Sequence, residues 1–303
     1  MLTTPFVWLI HGLLVLLTVA FFTLFERKVI GLIHLRVGPN KVSFTGILQP
    51  LLDAFKLLTK QNLVRVRSNK AIYSASPLAR LATSLLFWVF LPTSFFFLSN
   101  SLSFLGFLAL GSILVLIALI TGWASNSKYS FVGSLRSVAQ SVSYESVITT
   151  LVILFSILAG SYSLTSVVEA RGGFFLLFFP LWYFCLLAET HRAPFDFAER
   201  ESELVSGYNT EYGGALFAFL FLREYCVLLF ASLVCFVLFL PALPLRVIFN
   251  PWVISLGVLV VSFRTILVRV TFCRFRYDFL INLAWKILLP LSLCGLSLGF
   301  WFL

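Results

Sequence analysis

Charge is scarce in this sequence. Only 11% of its 303 residues are Asp, Glu, Lys or Arg, and twelve of them are acidic. A water-soluble domain of this length needs far more charge to cover its surface, which sets that class aside. Metal-ligand spacings are also missing. The five cysteines are Cys185, Cys226, Cys235, Cys273 and Cys294. None forms a C-x-x-C pair, and most lie in apolar runs, where a thiol behaves as a small hydrophobe. His11, His34 and His191 are scattered. Neither set matches a zinc, haem or iron–sulfur site, so no metal is expected, and any electron transfer is expected to run through other chains. A cleavable signal is lacking too. The run Pro5–Phe25 has no basic residue before it and no small-residue cleavage site after it, so it reads as a retained span. Repeats and low-complexity tracts are absent beyond an excess of phenylalanine.

What is present is hydrocarbon. The chain is 60% hydrophobic with a mean hydropathy of +1.02. Apolar runs recur along its length, each near the roughly 20 helical residues that cross a bilayer core. The expected fold is all-α: a polytopic membrane protein of about eight transmembrane helices in a single membrane-embedded domain, 1–303. The spans are placed at about 5–25, 78–99, 102–121, 144–163, 174–190, 214–240, 252–272 and 280–301, the fifth ending against Glu189.

The basic residues sort by side. Nine follow the first span: Arg27, Lys28, Arg36, Lys41, Lys56, Lys60, Arg65, Arg67 and Lys70. With Lys128, Arg136, Arg192, Arg200, Arg274 and Arg276, one side holds fifteen, while the other holds only Arg171 and Arg246. That asymmetry places the large loops inside and both termini outside. The net charge of +10 is therefore topological, and no nucleic-acid partner is expected. Within the first inside loop, Gln49, Asp53, Lys56 and Lys60 recur at helical spacing opposite Leu51, Leu52, Phe55 and Leu58. Such a helix, Leu48–Gln61, lies in the interface plane, and Pro50 suits its first turn.

Half of the twelve acids fall within 23 positions: Glu189, Asp196, Glu199, Glu201, Glu203 and Glu211. Glu224 stands near the middle of the sixth span and Glu145 at the start of the fourth. Glu26, Asp53, Glu169 and Asp278 complete the set. Crowded carboxylates at a membrane edge repel one another and lose hydration, which brings proton exchange toward neutral pH. Arg192, Arg200 and Arg223 would hold some of them charged. Two readings stand: a proton or ion relay, or a hydrated loop with structural ion pairs. Glu224 sits at a depth where a lone charge costs about 3 kcal/mol or more, so it is expected to face the bundle interior or a wet cavity. Arg264, Arg269 and Lys286 are read as snorkelling near span ends, with internal pairing as the alternative.

Particular strings then resemble a known family. Glu26–Arg27–Lys28, Leu35–Asn40 (LRVGPN), Leu48–Gln49–Pro50 and Asp53–Lys56 (DAFK) resemble the first inside loop of NADH–ubiquinone oxidoreductase subunit 1, the H subunit of respiratory complex I. Gly122–Tyr129 (GWASNSKY), Leu135–Gln140 (LRSVAQ) and Ser143–Tyr144–Glu145 continue the likeness. Ala188–Asp196 (AETHRAPFD) and Glu201–Asn209 (ESELVSGYN) are its most specific blocks, with Arg274–Asp278 (RFRYD) and Trp285–Lys286 near the C-terminus. The blocks cover nearly the whole chain in the family's order.

The resemblance implies eight spans at the junction of the membrane and peripheral arms, and a proton-translocating NADH:ubiquinone reductase as the enzyme to which the chain contributes. It implies a quinone chamber shared with two hydrophilic subunits, one carrying the terminal iron–sulfur cluster. It implies ubiquinone as substrate, with FMN and iron–sulfur clusters held by partner subunits and no cofactor bound covalently here. Neighbouring membrane subunits and membrane lipid are the other partners. By motif match, Glu145, Glu189, Asp196, Glu199, Glu201, Glu203, Glu211 and Glu224 are the acids of a funnel linking quinone chemistry to the proton path. Arg27, Arg36 and Asp53 flank the quinone entrance, and Arg274 lies near the chamber.

Some positions depart from the family pattern. Ala198 stands where threonine is usual, Arg200 where glycine is usual, Arg223 where alanine is common, and Phe279 at a commonly polar position. Each added arginine draws protons off neighbouring acids. Three rivals remain. A secondary transporter would show an internal repeat or paired broken helices, and neither is found. A membrane subunit of a related hydrogenase need not bind quinone, whereas the first-loop and Arg274–Tyr277 strings favour quinone. A structural anchor leaves the acid cluster unexplained. The compact length, lack of tails and 35 phenylalanines suggest a mitochondrially encoded inner-membrane chain, with a bacterial plasma membrane as the alternative.

Overall fold

A chain surrounded by hydrocarbon must satisfy its backbone hydrogen bonds internally, and helices do this segment by segment. The computed structural model describes residues 3–61, 68–90, 101–170, 173–196, 207–239 and 250–301, and these are helical with no strand among them. In chain order the helices are α1 (Thr3–Ile33), α2 (Gln49–Thr59), α3 (Lys70–Leu86), α4 (Ser103–Ala124), α5 (Lys128–Ala159) and α6 (Leu164–Ala170). They continue with α7 (Gly173–Leu177), α8 (Phe179–Glu189), α9 (Gly214–Phe239), α10 (Pro251–Thr271), α11 (Tyr277–Leu283) and α12 (Leu289–Trp301). A π turn, Ala284–Leu288, joins α11 to α12 into one long apolar element. Six elements among the described residues are long and apolar enough to cross a membrane, and α8 is a shorter apolar helix. The chain is a multi-pass helical membrane protein.

Helix α9 is the axis of the bundle. Of its most apolar stretch 83% is buried by other helices, against 17–50% for the other five. It packs on α1, α3, α8 and α10. The outer helices turn Leu9, Leu13, Leu116, Trp252, Val260 and Phe300 outward, which only lipid covers without penalty. Hydroxyls buried among the helices bond back to carbonyls one turn earlier, as Ser84 does to Leu81, Thr121 to Ala118 and Ser232 to Leu229.

Boundaries differ from the hydropathy reading in four places, the first two being α1, which runs on to Ile33 instead of ending near Phe25, and α3, which begins at Lys70 instead of near Leu78. Helix α5 begins at Lys128, not near Tyr144, because its polar first half (Ser130, Ser134, Ser137, Gln140) is buried against neighbours. The region 174–190 holds two helices broken at Phe178, with Pro180 in the first turn of the second. The second span lies partly outside the described residues, beyond a 3-10 turn at Phe87–Phe90.

Small residues let helices approach. Gly257 of α10 lies against the Phe236 ring of α9, and Gly133 of α5 against the backbone of Gly207 and Tyr208. A side chain at 257 must displace an aromatic ring. Gly257→Leu is therefore expected to destabilise the bundle by about 1–3 kcal/mol and lower the amount of chain retained in membranes, measured by quantitative immunoblot. Gly12→Ala, where nothing lies within 4 Å of the added carbon, is the control and should leave the amount unchanged.

Candidate functional site

Gln140 fixes the end of α8. From the middle of α5 its side-chain amide donates to the carbonyls of Ala188 at 2.9 Å and Phe195 at 2.8 Å. The segment after α8 turns sharply at His191, whose φ is +50°. Phe195 then packs on Phe275, and the Phe275 N–H donates to the Pro194 carbonyl. These contacts hold Glu189 and His191 toward the bundle interior.

There they meet a small cavity of about 40 Å³, partly open to the surroundings, between α3, α4, α5, α8 and α9. Its polar lining is Arg80, Ser141, Tyr144, Glu145, Glu189, His191 and Arg223, and α4 supplies an apolar wall from Phe107 to Ala118. Glu145 and Glu189 lie close enough to be electrostatically coupled, as do Glu189 and Arg223. Such a space holds a few water molecules, at roughly 10–15 Å³ of it each, and the lining gives them donors and acceptors.

Arg80 is the least expected member. It is fully buried, and Nε, Nη1 and Nη2 have no hydrogen-bond partner among the described residues. Its guanidinium lies 4.6 Å over the centre of the Tyr208 ring, an attraction between cation and ring face. The hydroxyl of the same tyrosine donates to Glu224 at 2.7 Å. Glu224 and Arg223, neighbours on α9, are both buried, and Arg223 Nε also lacks a hydrogen-bond partner among the described residues. Tyr208 owes its place to the Gly133–Gly207 contact and to Ser130, whose hydroxyl donates to its carbonyl.

His191 faces the same arginines. Burial, with the charges of Arg223 and Arg80 adding to it, pushes this histidine down to about 3. It is neutral in the folded protein at physiological pH, and its Nδ1 has no hydrogen-bond partner among the described residues.

A second cluster ties three helices together. Glu26 on α1, nearly inaccessible, accepts from Arg192 at 3.0 Å and from Arg269 of α10. Arg192 stacks 4.2 Å over the Tyr225 ring of α9. Burial works against the Arg192 charge, but Tyr225 and Glu26 outweigh it and raise its pKa above the ordinary value. Arg269, read as snorkelling, is instead an ion-pair partner, and Arg264 lies over the rings of Phe179 and Tyr183.

The other residues singled out from the sequence are dispersed. Asp196 lies 3.9 Å from Arg274. Arg27 pairs with Asp53 at 2.7 Å, and Gln49 also donates to Asp53. Arg36 is exposed just beyond α1. The Glu211 carbonyl accepts from Tyr73 at 2.5 Å. Glu199, Glu201 and Glu203 fall outside the described residues, as does Arg200. Among the described residues no three His, Cys, Asp or Glu side chains gather in a metal-holding group. Sequence reading missed Arg80, His191 and the Glu26 cluster as site members. One signal existed for Arg80: positions three and four residues away are Ser76, Pro77, Thr83 and Ser84, so no acid on its own helix can neutralise it.

Fold and site together define a polytopic helical membrane protein with paired carboxylates and arginines around a cavity inside its bundle. Comparison with known proteins narrows the class. The family model described as NADH dehydrogenase matches residues 7–299. NADH-ubiquinone oxidoreductase chain 1 of Aedes aegypti is 45% identical over 284 residues, covering 92% of this chain and 89% of that protein. The chain 1 proteins of Patiria pectinifera and Lampetra fluviatilis are 42% and 40% identical, covering 95% and 96% of this chain and 92% of each relative. The chain belongs to the NADH dehydrogenase family.

Two outcomes follow from the charge clusters. Glu26→Gln strands buried Arg192 without its counter-charge and is expected to destabilise the protein by about 3–5 kcal/mol, read as a lower thermal transition of the assembled protein. For His191 the sign runs with acid. The unfolded residue binds a proton below its ordinary 6.5 while the folded one does not until about 3, so stability is full above 6.5 and falls as pH drops. His191→Asn should flatten the loss of thermal stability between about pH 7 and pH 5.

Proposed function

We propose that this chain is the core membrane subunit of proton-translocating NADH:ubiquinone oxidoreductase, respiratory complex I, in the mitochondrial inner membrane. It forms part of the quinone chamber and of the acidic funnel that couples quinone reduction to proton pumping. The observation that carries this reading is the meeting of Glu145 and Glu189 at one cavity within the bundle, in a chain of the NADH dehydrogenase family. Carboxylates held away from bulk water are costly unless they work, and their usual work in a membrane is passing protons.

In this reading, reduction of ubiquinone to the quinol consumes two electrons and two protons. The electrons come from FMN and iron–sulfur clusters in partner subunits. The chain's own residues supply the slot and the response. Arg27, Asp53 and Arg36 frame the entrance beside the amphipathic α2, whose Leu51, Leu52, Phe55 and Leu58 are exposed and suit lipid or a quinone tail. Arg274, against Asp196, stands near the chamber. Glu145, Glu189, Asp196, Glu211 and Glu224, with Glu199, Glu201 and Glu203, make the relay. A change of charge at the quinone site shifts their protonation, and this coupling free energy is the chain's contribution to pumping. Hydrophilic quinone-site subunits, including the one with the terminal iron–sulfur cluster, and adjacent membrane subunits are the partners.

On a native gel with subunit identification the chain should migrate only within a very large assembly, and migration alone would contradict the assignment. Glu189→Gln should leave that assembly intact while lowering coupled quinone reductase activity at least about tenfold. Wild-type turnover in an assembled Glu189→Gln enzyme would refute the relay.

A further inference from the structure

The cavity sets two arginines beside its two carboxylates. Arg80 comes from α3 and Arg223 from α9; among the described residues all three guanidinium nitrogens of Arg80, and Nε of Arg223, are buried without a hydrogen-bond partner. A guanidinium has five N–H donors, and leaving them unused away from water is unfavourable. The Tyr208 ring face offsets part of that for Arg80, but a ring accepts no N–H bond as a carboxylate does. The natural acceptors share the same lining: Glu145 from α5 and Glu189 from α8. The remaining polar or titratable groups facing the cavity are Ser141 and Tyr144 from α5 and neutral His191 after α8, while α4 presents only apolar side chains. Glu224 is engaged by the Tyr208 hydroxyl beneath Arg80, and Tyr212 also feels the Arg80 charge.

We propose that Arg80, with Arg223, is a mobile counter-charge for the relay, leaving the Tyr208 ring to pair with whichever of Glu189 and Glu145 is ionised. The inference rests on the relay reading above and deepens it. A proton passing from Glu189 to Glu145 leaves the first carboxylate negative, and its return leaves the second negative. The guanidinium supplies charge and takes no proton, so the step balances. Tyr208 couples this motion to Glu224, since one ring is the resting place of Arg80 and the hydrogen-bond donor to that acid. Arg80 and Arg223 are positioning residues in this scheme.

The test uses the assembled enzyme in its membrane. Arg80→Leu removes a positive neighbour, so the relay carboxylates hold their protons to higher pH. The pH profile of coupled quinone reduction, and the infrared titration of protonated carboxyl groups, should both move alkaline by about one unit. Arg80→Lys, which keeps the charge, should return both toward the wild type. If leucine blocks assembly, Arg80→Gln keeps the size and polarity and is read the same way. A lower rate with profile and titration unmoved would overturn the proposal and leave Arg80 a structural residue. An assembled Glu189→Gln enzyme with wild-type turnover would instead sink the relay itself, so the two failures are distinguishable.

Discussion

Every charge inside a lipid-enclosed bundle must meet an opposite charge, a ring face or water, because hydrocarbon offers it nothing. That constraint organises this protein at two levels. Around Glu26 it is met by opposite charge: two guanidinium groups from separate segments converge on one carboxylate oxygen and a tyrosine ring covers Arg192, while the second oxygen has no hydrogen-bond partner among the described residues. The result pins α1, α10 and the segment after α8 around central α9. Around Glu189 it is met in part. Arg80 and Arg223 keep buried nitrogens unengaged beside two carboxylates. A carboxylate held by two ion pairs resists change, while arginines not yet paired with the carboxylates beside them can rearrange at little cost. The first suits a clamp and the second a relay.

The two clusters are mechanically joined. His191 and Arg192 are consecutive residues, one facing the cavity and the other Glu26. Gln140 holds the carbonyls on either side of them, and Tyr225, Glu224 and Arg223 are consecutive on α9. Any displacement of the segment after α8 is therefore felt by both charge groups. On the function proposed for this chain, such proximity is a short physical route for coupling between quinone reduction and proton movement.

Much of this was legible beforehand. The all-helical membrane class follows from apolar runs alone, since lipid permits few other structures. The family followed from ordered strings such as AETHRAPFD. What hydropathy could not show was burial by polar contact. The first half of α5 looks like a loop by composition, yet its serines and Gln140 are inside the protein. The break at Phe178 divides what hydropathy joins into one span. Of the expected site, Glu145 and Glu189 share a cavity and Glu224 reaches it through Tyr208, while Asp196 and Arg274 stand apart from it. Arg80 escaped because its neutralising surroundings lie on other helices, and partners far along the chain leave no local pattern. Arg269 escaped for the same reason: Glu26 is 243 positions away.

The central claim is that the charged cavity is a wet, working compartment within the bundle. An experimental density map of the assembled enzyme, sharp enough to show ordered water, tests it most directly. The account predicts water or a carboxylate oxygen within hydrogen-bond distance of the Arg80 guanidinium, continuous with Glu189 and Glu145. A dry site packed with apolar side chains, with Arg80 turned out to the lipid headgroups, would contradict it.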